Sequence, residues 1–498
     1  MYTKLFKPVK GLFVAAFLCA GLSAQAQLQP VDYVNPFIGT TNFGTCNPGA
    51  ICPQGLMSVT PFNVMGSAEN KFDKDARWWS TPYDVTNCFM TGYAHVNLSG
   101  VGCPEASSLL TMPTTGDLDV DYHNYGSKYK DEVSRPGYYS NTLEKYNIKT
   151  EVTATSRTSI EKYTFPKGQS HILFNLGEGL TNETDREIEG TKLLGTFCYF
   201  PQSVFPIYFV MRLSKAPKQS GYWKKMRPMT AEAEWDDTAG KYKLYTEYRR
   251  DISGDDIGAW FDFDTEEGET IEVRMGVSFT SIANARENLE KEQNGVTFEQ
   301  ACLNARNAWN KNLSTIEVEG GTEEQKTVFY TGFYHMLIHP GILQDVNGQY
   351  PKMESEQTAH TNRNRYTVFS LWDTYRALHP LFNVLQTQRN ADMVQSMLKH
   401  SEQSVHGALP VWSHMGNENW CMIGYHAVPV LSDAYTKGVV SNAESLLKAM
   451  KRSSTIPYYV NLDDYMDLGY VPFDKNNGCV SITMEYAYDD WTIYQAAL

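Results

Sequence analysis

Basic residues are scarce: 43 Lys and Arg stand against 57 Asp and Glu in 498 residues, a formal net charge of −14. Nucleic-acid binders normally carry a basic excess, so that class is set aside. No G-x-S-x-G elbow, P-loop, H-E-x-x-H or dinucleotide fingerprint occurs. Their absence removes the commonest serine-hydrolase, nucleotide-hydrolase, zinc-protease and Rossmann chemistries. Nine cysteines are present without any C-x-x-C pair, so a zinc site of the usual spacing is unsupported. Repeats of fixed period and low-complexity tracts are missing as well. What remains is ordinary globular composition, 42% hydrophobic and 20% charged. The length is about three times the ~150-residue prior for one domain, so at least two cores are expected. Aromatics reach 13%, with 31 Tyr and 10 Trp. Such rings suit sugar faces, and they equally suit a large core.

The first residues read as an export signal. Lys4, Lys7 and Lys10 form a basic region, Gly11 to Ser23 an apolar one, and Ala24-Gln25-Ala26 a small-x-small cleavage site. The apolar run is too short to span a bilayer, which needs about 20 residues. A lipid anchor at Cys19 is the rival reading, but Leu18 stands where a small residue is usual. Cleavage after residue 26 removes three lysines and no acids, taking the charge from −14 to −17. The expectation is a periplasmic or secreted, acidic protein without a membrane span. Eight cysteines would remain; export permits disulfides, and Cys46–Cys52 and Cys88–Cys103 are the nearest pairs.

From Val31 to about Thr280, short β-branched and aromatic runs alternate with Gly, Asn and Asp. Residues 170–176, 241–248 and 270–277 are examples, and the pattern predicts an antiparallel β-sandwich. Beyond Asn284 the period becomes helical, over 285–292, 298–310, 323–339, 375–385, 391–404 and 440–450. Helices joined by loops without strands predict an all-α layer. The expected organisation is a signal peptide at 1–26, a sandwich at 27–280, a helical linker at 281–320 and a helical domain at 321–498.

Two minor signals read as structural. His335 and His339 have metal-compatible spacing on an expected helix, but no third ligand is in view. Asp345-Val346-Asn347-Gly348-Gln349 begins like a calcium loop, yet Tyr350 stands where Gly is required, so an Asx turn fits better. Three polar-aromatic clusters carry more. They are Arg77-Trp78-Trp79-Ser80 leading to residues 92–103, the run Phe369 to Arg376, and the run Leu409 to His426. Each sets charged or amide groups beside Trp, as a saccharide site requires: rings meet the apolar sugar face while polar groups bind hydroxyls. Trp372, Arg376, Asn417 and His426 are the candidates these runs supply. Glu418 stands among Trp412, Met415, Trp420 and Met422, where burial would raise its pKa as a general acid needs. Taken alone, such a carboxylate is more often structural.

The order of these blocks resembles glycoside hydrolase family 92, the calcium-dependent exo-α-mannosidases. The similarity runs through residues 31–40, 47–50, 95–104, 135–140, 329–335, 369–380, 417–426 and 485–491. It implies a sandwich on an (α/α)₆ toroid, with hydrolysis by inversion and a calcium ion on O2 and O3 of the terminal mannose. It implies Glu418 as general acid, Asp373 against the terminal mannose, and Trp78 or Trp79 reaching in from the sandwich. A mannose-containing glycan would be the partner, α-1,2 the linkage and a monomer the state. The family's later blocks, which supply calcium ligands and the aspartate base, have no match up to Leu498, so those ligands are expected beyond residue 498 and the toroid is expected to be incomplete. An inverting hydrolase needs a second carboxylate about 6.5–9.5 Å from its acid. Asp489 and Asp490 are the internal candidates, though the family carries both besides its base. A carbohydrate-binding or catalytically incomplete fragment, and a phosphorylase or glucoamylase-like enzyme, are the competing readings.

Overall fold

The computed structural model describes residues 28–41, 44–64, 81–102, 106–177, 187–188, 191–195, 204–226, 228, 240–246, 252, 254 and 256–498. The signal-peptide reading at 1–26 and the Trp78 and Trp79 expectation lie outside these residues.

The first half forms two antiparallel sheets. One runs in spatial order from Ala50–Ile51 through Ser58–Phe62, Gly92–Asn97, Ala106–Thr115, Gly168–Asn175, Ile257–Thr265 and Gln219–Met226 to Lys241–Thr246. The other centres on Val204–Leu213, Glu269–Ser278, Thr158–Phe165, Ile148–Ala154, Tyr138–Leu143 and Ser127–Arg135. Period-2 alternation explains the pairing: Ile271, Val273 and Met275 point into the core, while Glu272 and Arg274 stay partly exposed. Tyr93, Met112 and Ile172 of the first sheet join Val152, Tyr163 and Val273 of the second in one apolar cluster, which makes the pair a sandwich.

A polar network is sealed inside it. His95 Nε2 meets Glu161 Oε1 at 2.9 Å, and Thr111 and Tyr163 donate to the other carboxylate oxygen. Residues 92–98, part of the first polar-aromatic cluster, are therefore core, while Gly100 and Gly102 beyond them are exposed.

Helices follow at Ile282–Gln293, Phe298–Leu313, Glu323–Met336, Leu378–Leu385, Thr387–Gln403, Ala427–Thr436, Ala443–Ser453 and Cys479–Ala497. Ser281, Thr297 and Thr322 cap the first three through their side chains. Ile282–Gln293 packs on the second sheet, and Phe298–Leu313 packs on Ile148–Ala154. These two helices thus lie on the sandwich, while Trp309, Leu313, Ile316 and Val318 pack with the core of the helical layer. The Glu323–Met336 helix stops short of His339 because Pro340 cannot continue it. The two histidines therefore do not share a helical face. His335 lies 3.9 Å from Cys46 Sγ, and His339 Nε2 accepts from the Ser99 backbone.

Asp345 ties the layers together. Its buried carboxylate accepts from Ser278 Oγ at 2.9 Å, Thr280 Oγ1 at 2.5 Å, Asn284 Nδ2 at 3.0 Å and Asn288 Nδ2 at 2.7 Å. Gln349 N donates to Asn347 Oδ1, so this loop is the Asx turn expected. Cys46 and Cys52 are unpaired thiols.

Candidate active site

A three-stranded sheet brings the second and third clusters together. Phe369–Ser370 pairs with Trp412–His414, which pairs with Asn417–Glu418, in the register Ser370↔Trp412 and Ser413↔Glu418. Met415, in the turn between the last two strands, and Trp420 and Met422, in the loop that follows, hold positive φ, a local strain that neighbouring contacts must support.

Glu418 supplies that support. Its Oε2 accepts from Val411 N at 3.0 Å, and its Oε1 from Trp412 N at 2.8 Å and Trp420 N at 2.9 Å. The residue is 5% exposed. Burial pushes its pKa up, against the pull of those three N–H donors. His400 Nε2 lies 3.5 Å away, and burial lowers that imidazole to about 3, so it is neutral. Asn417 faces the other way. It lines a cavity of about 820 Å³ with Phe205, Phe279 and Met415, where the sandwich meets the helical layer.

Trp372, Arg376 and His426 converge elsewhere, around Glu485. Trp372 Nε1 donates to Glu485 Oε1 at 3.3 Å, and Arg376 Nη2 lies 3.7 Å from the same oxygen. His426 Nε2 forms a close ion pair with Glu485 Oε2, while its Nδ1 contacts Asp489 Oδ1 at 2.8 Å. A carboxylate faces each ring nitrogen of His426, which favours the charged imidazolium. Burial opposes that charge, but the hydrogen bonds to Asp489 and Glu485 raise its pKa overall. Burial also works against Glu485 ionising, yet His426 and Arg376 hold its pKa below the ordinary value. Tyr375 stacks on the His426 ring at 4.1 Å, and Arg376 lies 5.0 Å over Trp372.

Asp373 stays outside this group, exposed and accepting from Ser370 Oγ. Asp489 is buried, and its second oxygen accepts from Tyr425 N; Asp490 accepts from Tyr425 OH at 2.8 Å. Glu485 itself was singled out by no sequence signal except its place in the 485–491 block. Among the described residues no group of three or more His, Cys, Asp or Glu side chains could hold a metal ion.

A sandwich leading into a helical layer hosts several chemistries, carbohydrate hydrolysis among them. Family models narrow these. The glycosyl hydrolase family 92 N-terminal domain matches residues 33–278, and the family 92 catalytic domain matches residues 284–498. The chain belongs to glycoside hydrolase family 92. A family GH92 α-mannosidase from Bacteroides thetaiotaomicron, solved with mannoimidazole, superposes with a TM-score of 0.81 at 32% identity. That match covers 94% of this chain and 61% of the other. An inverting GH92 mannosidase of the same organism gives 0.77 at 25% identity, covering 95% and 63%. A secreted glycosidase of Arthroderma benhamiae is 23% identical, over 97% of this chain and 61% of its own length. The chain thus spans about three fifths of the length of these relatives. Among the described residues no helix is long and apolar enough to cross a membrane.

Proposed function

We propose that this protein is an exo-acting α-mannosidase that removes terminal mannose from glycans with inversion, with a preference for α-1,2 linkages. Support comes first from one observation: Trp372, Arg376 and His426 converge on the ionised Glu485, a carboxylate ringed by aromatic faces. The α-mannosidase character of the 32% identical neighbour supports the sugar, and the inverting neighbour supports the stereochemistry. In this reading Tyr375 and Trp372 offer ring faces to the sugar and Arg376 donates to its hydroxyls, while buried His426, engaged at both ring nitrogens, holds Glu485 and Asp489 in place. Glu485, held as a carboxylate, accepts from a hydroxyl or from the attacking water.

A general acid must reach the glycosidic oxygen. Glu418 is the proposed acid on the family resemblance, and burial raises its pKa as that role needs; three backbone N–H groups donate to its two oxygens, so the same side chain also shapes its loop. Calcium enters on the family resemblance alone, and export on the signal-peptide pattern.

The test is release of mannose from α-1,2-mannobiose by the gene product, with and without chelator. Release of glucose or galactose but not mannose from a glycan panel would reject the reading. The burial of Glu418 favours one alternative, a carbohydrate-binding protein without turnover. Calorimetric mannose binding with no hydrolysis would select it.

A further inference from the structure

The block Arg135-Pro136-Gly137-Tyr138 takes no part in the Glu485 cluster. It forms the turn between strands Ser127–Arg135 and Tyr138–Leu143. Gly137 has φ +80°, and a Cβ there would stand 2.5 Å from Ala305 Cβ. Glycine therefore lets the turn seat directly on the Phe298–Leu313 helix.

Between this turn, that helix and the Pro30–Tyr33 turn lies a cavity of about 440 Å³. Its apolar wall is made by Tyr138 and Phe298, packed edge to face at 6.4 Å, with Leu303 exposed at the rim. The carboxylates lining it are all matched. Asp32 pairs with Arg306 at 2.7 Å, Glu299 with Lys162 at 2.8 Å, and Glu151 with Lys149 at 3.2 Å. Arg135 differs. Its guanidinium lies 4.8 Å over the Tyr138 ring, and it has no carboxylate partner among the described residues. A guanidinium over an aromatic ring can still turn N–H groups toward a bidentate anion, while the ring wall accepts an apolar face.

We propose that this cavity is a second binding site, separate from the Glu485 cluster, for a carboxylate carried on a ring, with a terminal acidic sugar as its source. The carboxylate pairs with Arg135, and the ring lies against Tyr138, Phe298 and Leu303. The volume is within the ~300–1,000 Å³ range of small-ligand sites.

The test is saturation-transfer NMR and calorimetry on the whole chain with glucuronate, glucose and benzoate. Glucuronate should bind saturably, weaken with salt, and lose at least about tenfold in Arg135→Gln, the scale of one charge-assisted pair. Leu303→Trp, which fills the rim without touching a charge, should weaken it as well. Retained thermal melts in both variants keep the result interpretable, and Arg135→Lys should bind more weakly than wild type. Equal binding of glucose and glucuronate, or unchanged binding in Arg135→Gln, would overturn the proposal. Binding of benzoate alone would overturn the sugar source. None of these readouts depends on mannosidase turnover, so the site stands or falls apart from the function proposed above.

Discussion

Two glutamates with opposite surroundings give the sharpest predictions at the scale of single residues. Glu485 faces Trp372, Arg376 and His426, so Glu485→Gln should cut mannobiose turnover by roughly 10²–10⁴-fold, far more than the loss of its pair with His426 lowers the folded fraction. Glu418 organises three backbone N–H groups, so Glu418→Gln should lower the melting temperature, and as the proposed acid it should lose disaccharide hydrolysis more than cleavage of an activated aryl mannoside. A Glu418→Gln protein whose activity on both substrates only follows the folded fraction would remove Glu418 from the acid role.

Buried histidines make a pH prediction. Burial depresses His339 and His400 to about 3 and His379 to about 4. A depressed histidine contributes stability above its unfolded pKa of about 6.5 and loses it as pH falls toward the folded value. Melts should therefore fall between about pH 6.5 and 4, by up to about 1.4 kcal/mol per pH unit for each group. A flat profile across that range would refute the burial of these rings as neutral groups.

Among elements, the junction of sandwich and helices depends on Asp345. Strand Glu269–Ser278 ends at Ser278, helix Ile282–Gln293 begins just after it, and both donate to the same carboxylate. Asp345→Ala strands four donors in a buried place, at about 1–3 kcal/mol for each one left unsatisfied. The expected outcome is a lower melting temperature, with the Ile282–Gln293 amides losing hydrogen-exchange protection first. Protection unchanged in that helix would show that apolar packing on the sheet is sufficient.

For the whole molecule, the Cys479–Ala497 helix is the feature that governs behaviour in solution. Its inner side buries Ile482, Tyr486 and Asp489. Its outer side shows Val480 at 74% exposure and Met484 at 67%, continued by Tyr488 and Trp491, a stripe at helical spacing. Contiguous exposed apolar surface of this kind drives association. The 498-residue chain should bind a hydrophobic dye and self-associate at micromolar concentration. The double variant Met484→Ser, Trp491→Ser should reduce both, read by dye fluorescence and light scattering. A monodisperse wild-type chain that ignores the dye would contradict this.

The change from sandwich to helical layer was legible in the sequence because periods of 2 and 3.6 are local properties, visible in runs such as 270–277 and 298–310. Family membership was legible too, since blocks such as 369–380 and 417–426 keep their order along the chain. The orientation of individual side chains was not. Glu418 and Asn417 are neighbours on a two-residue strand, and which one turns inward depends on the Trp412–His414 strand beside it. Glu485 gained its standing only when helix Cys479–Ala497 packed on Ala427–Thr436 and carried it to His426, whose other partner, Asp489, lies 63 residues away in sequence. Periodicity assigns a residue to an element and a face, but the partner across the interface, and with it the charge and protonation of each group, is set by packing between elements distant in sequence.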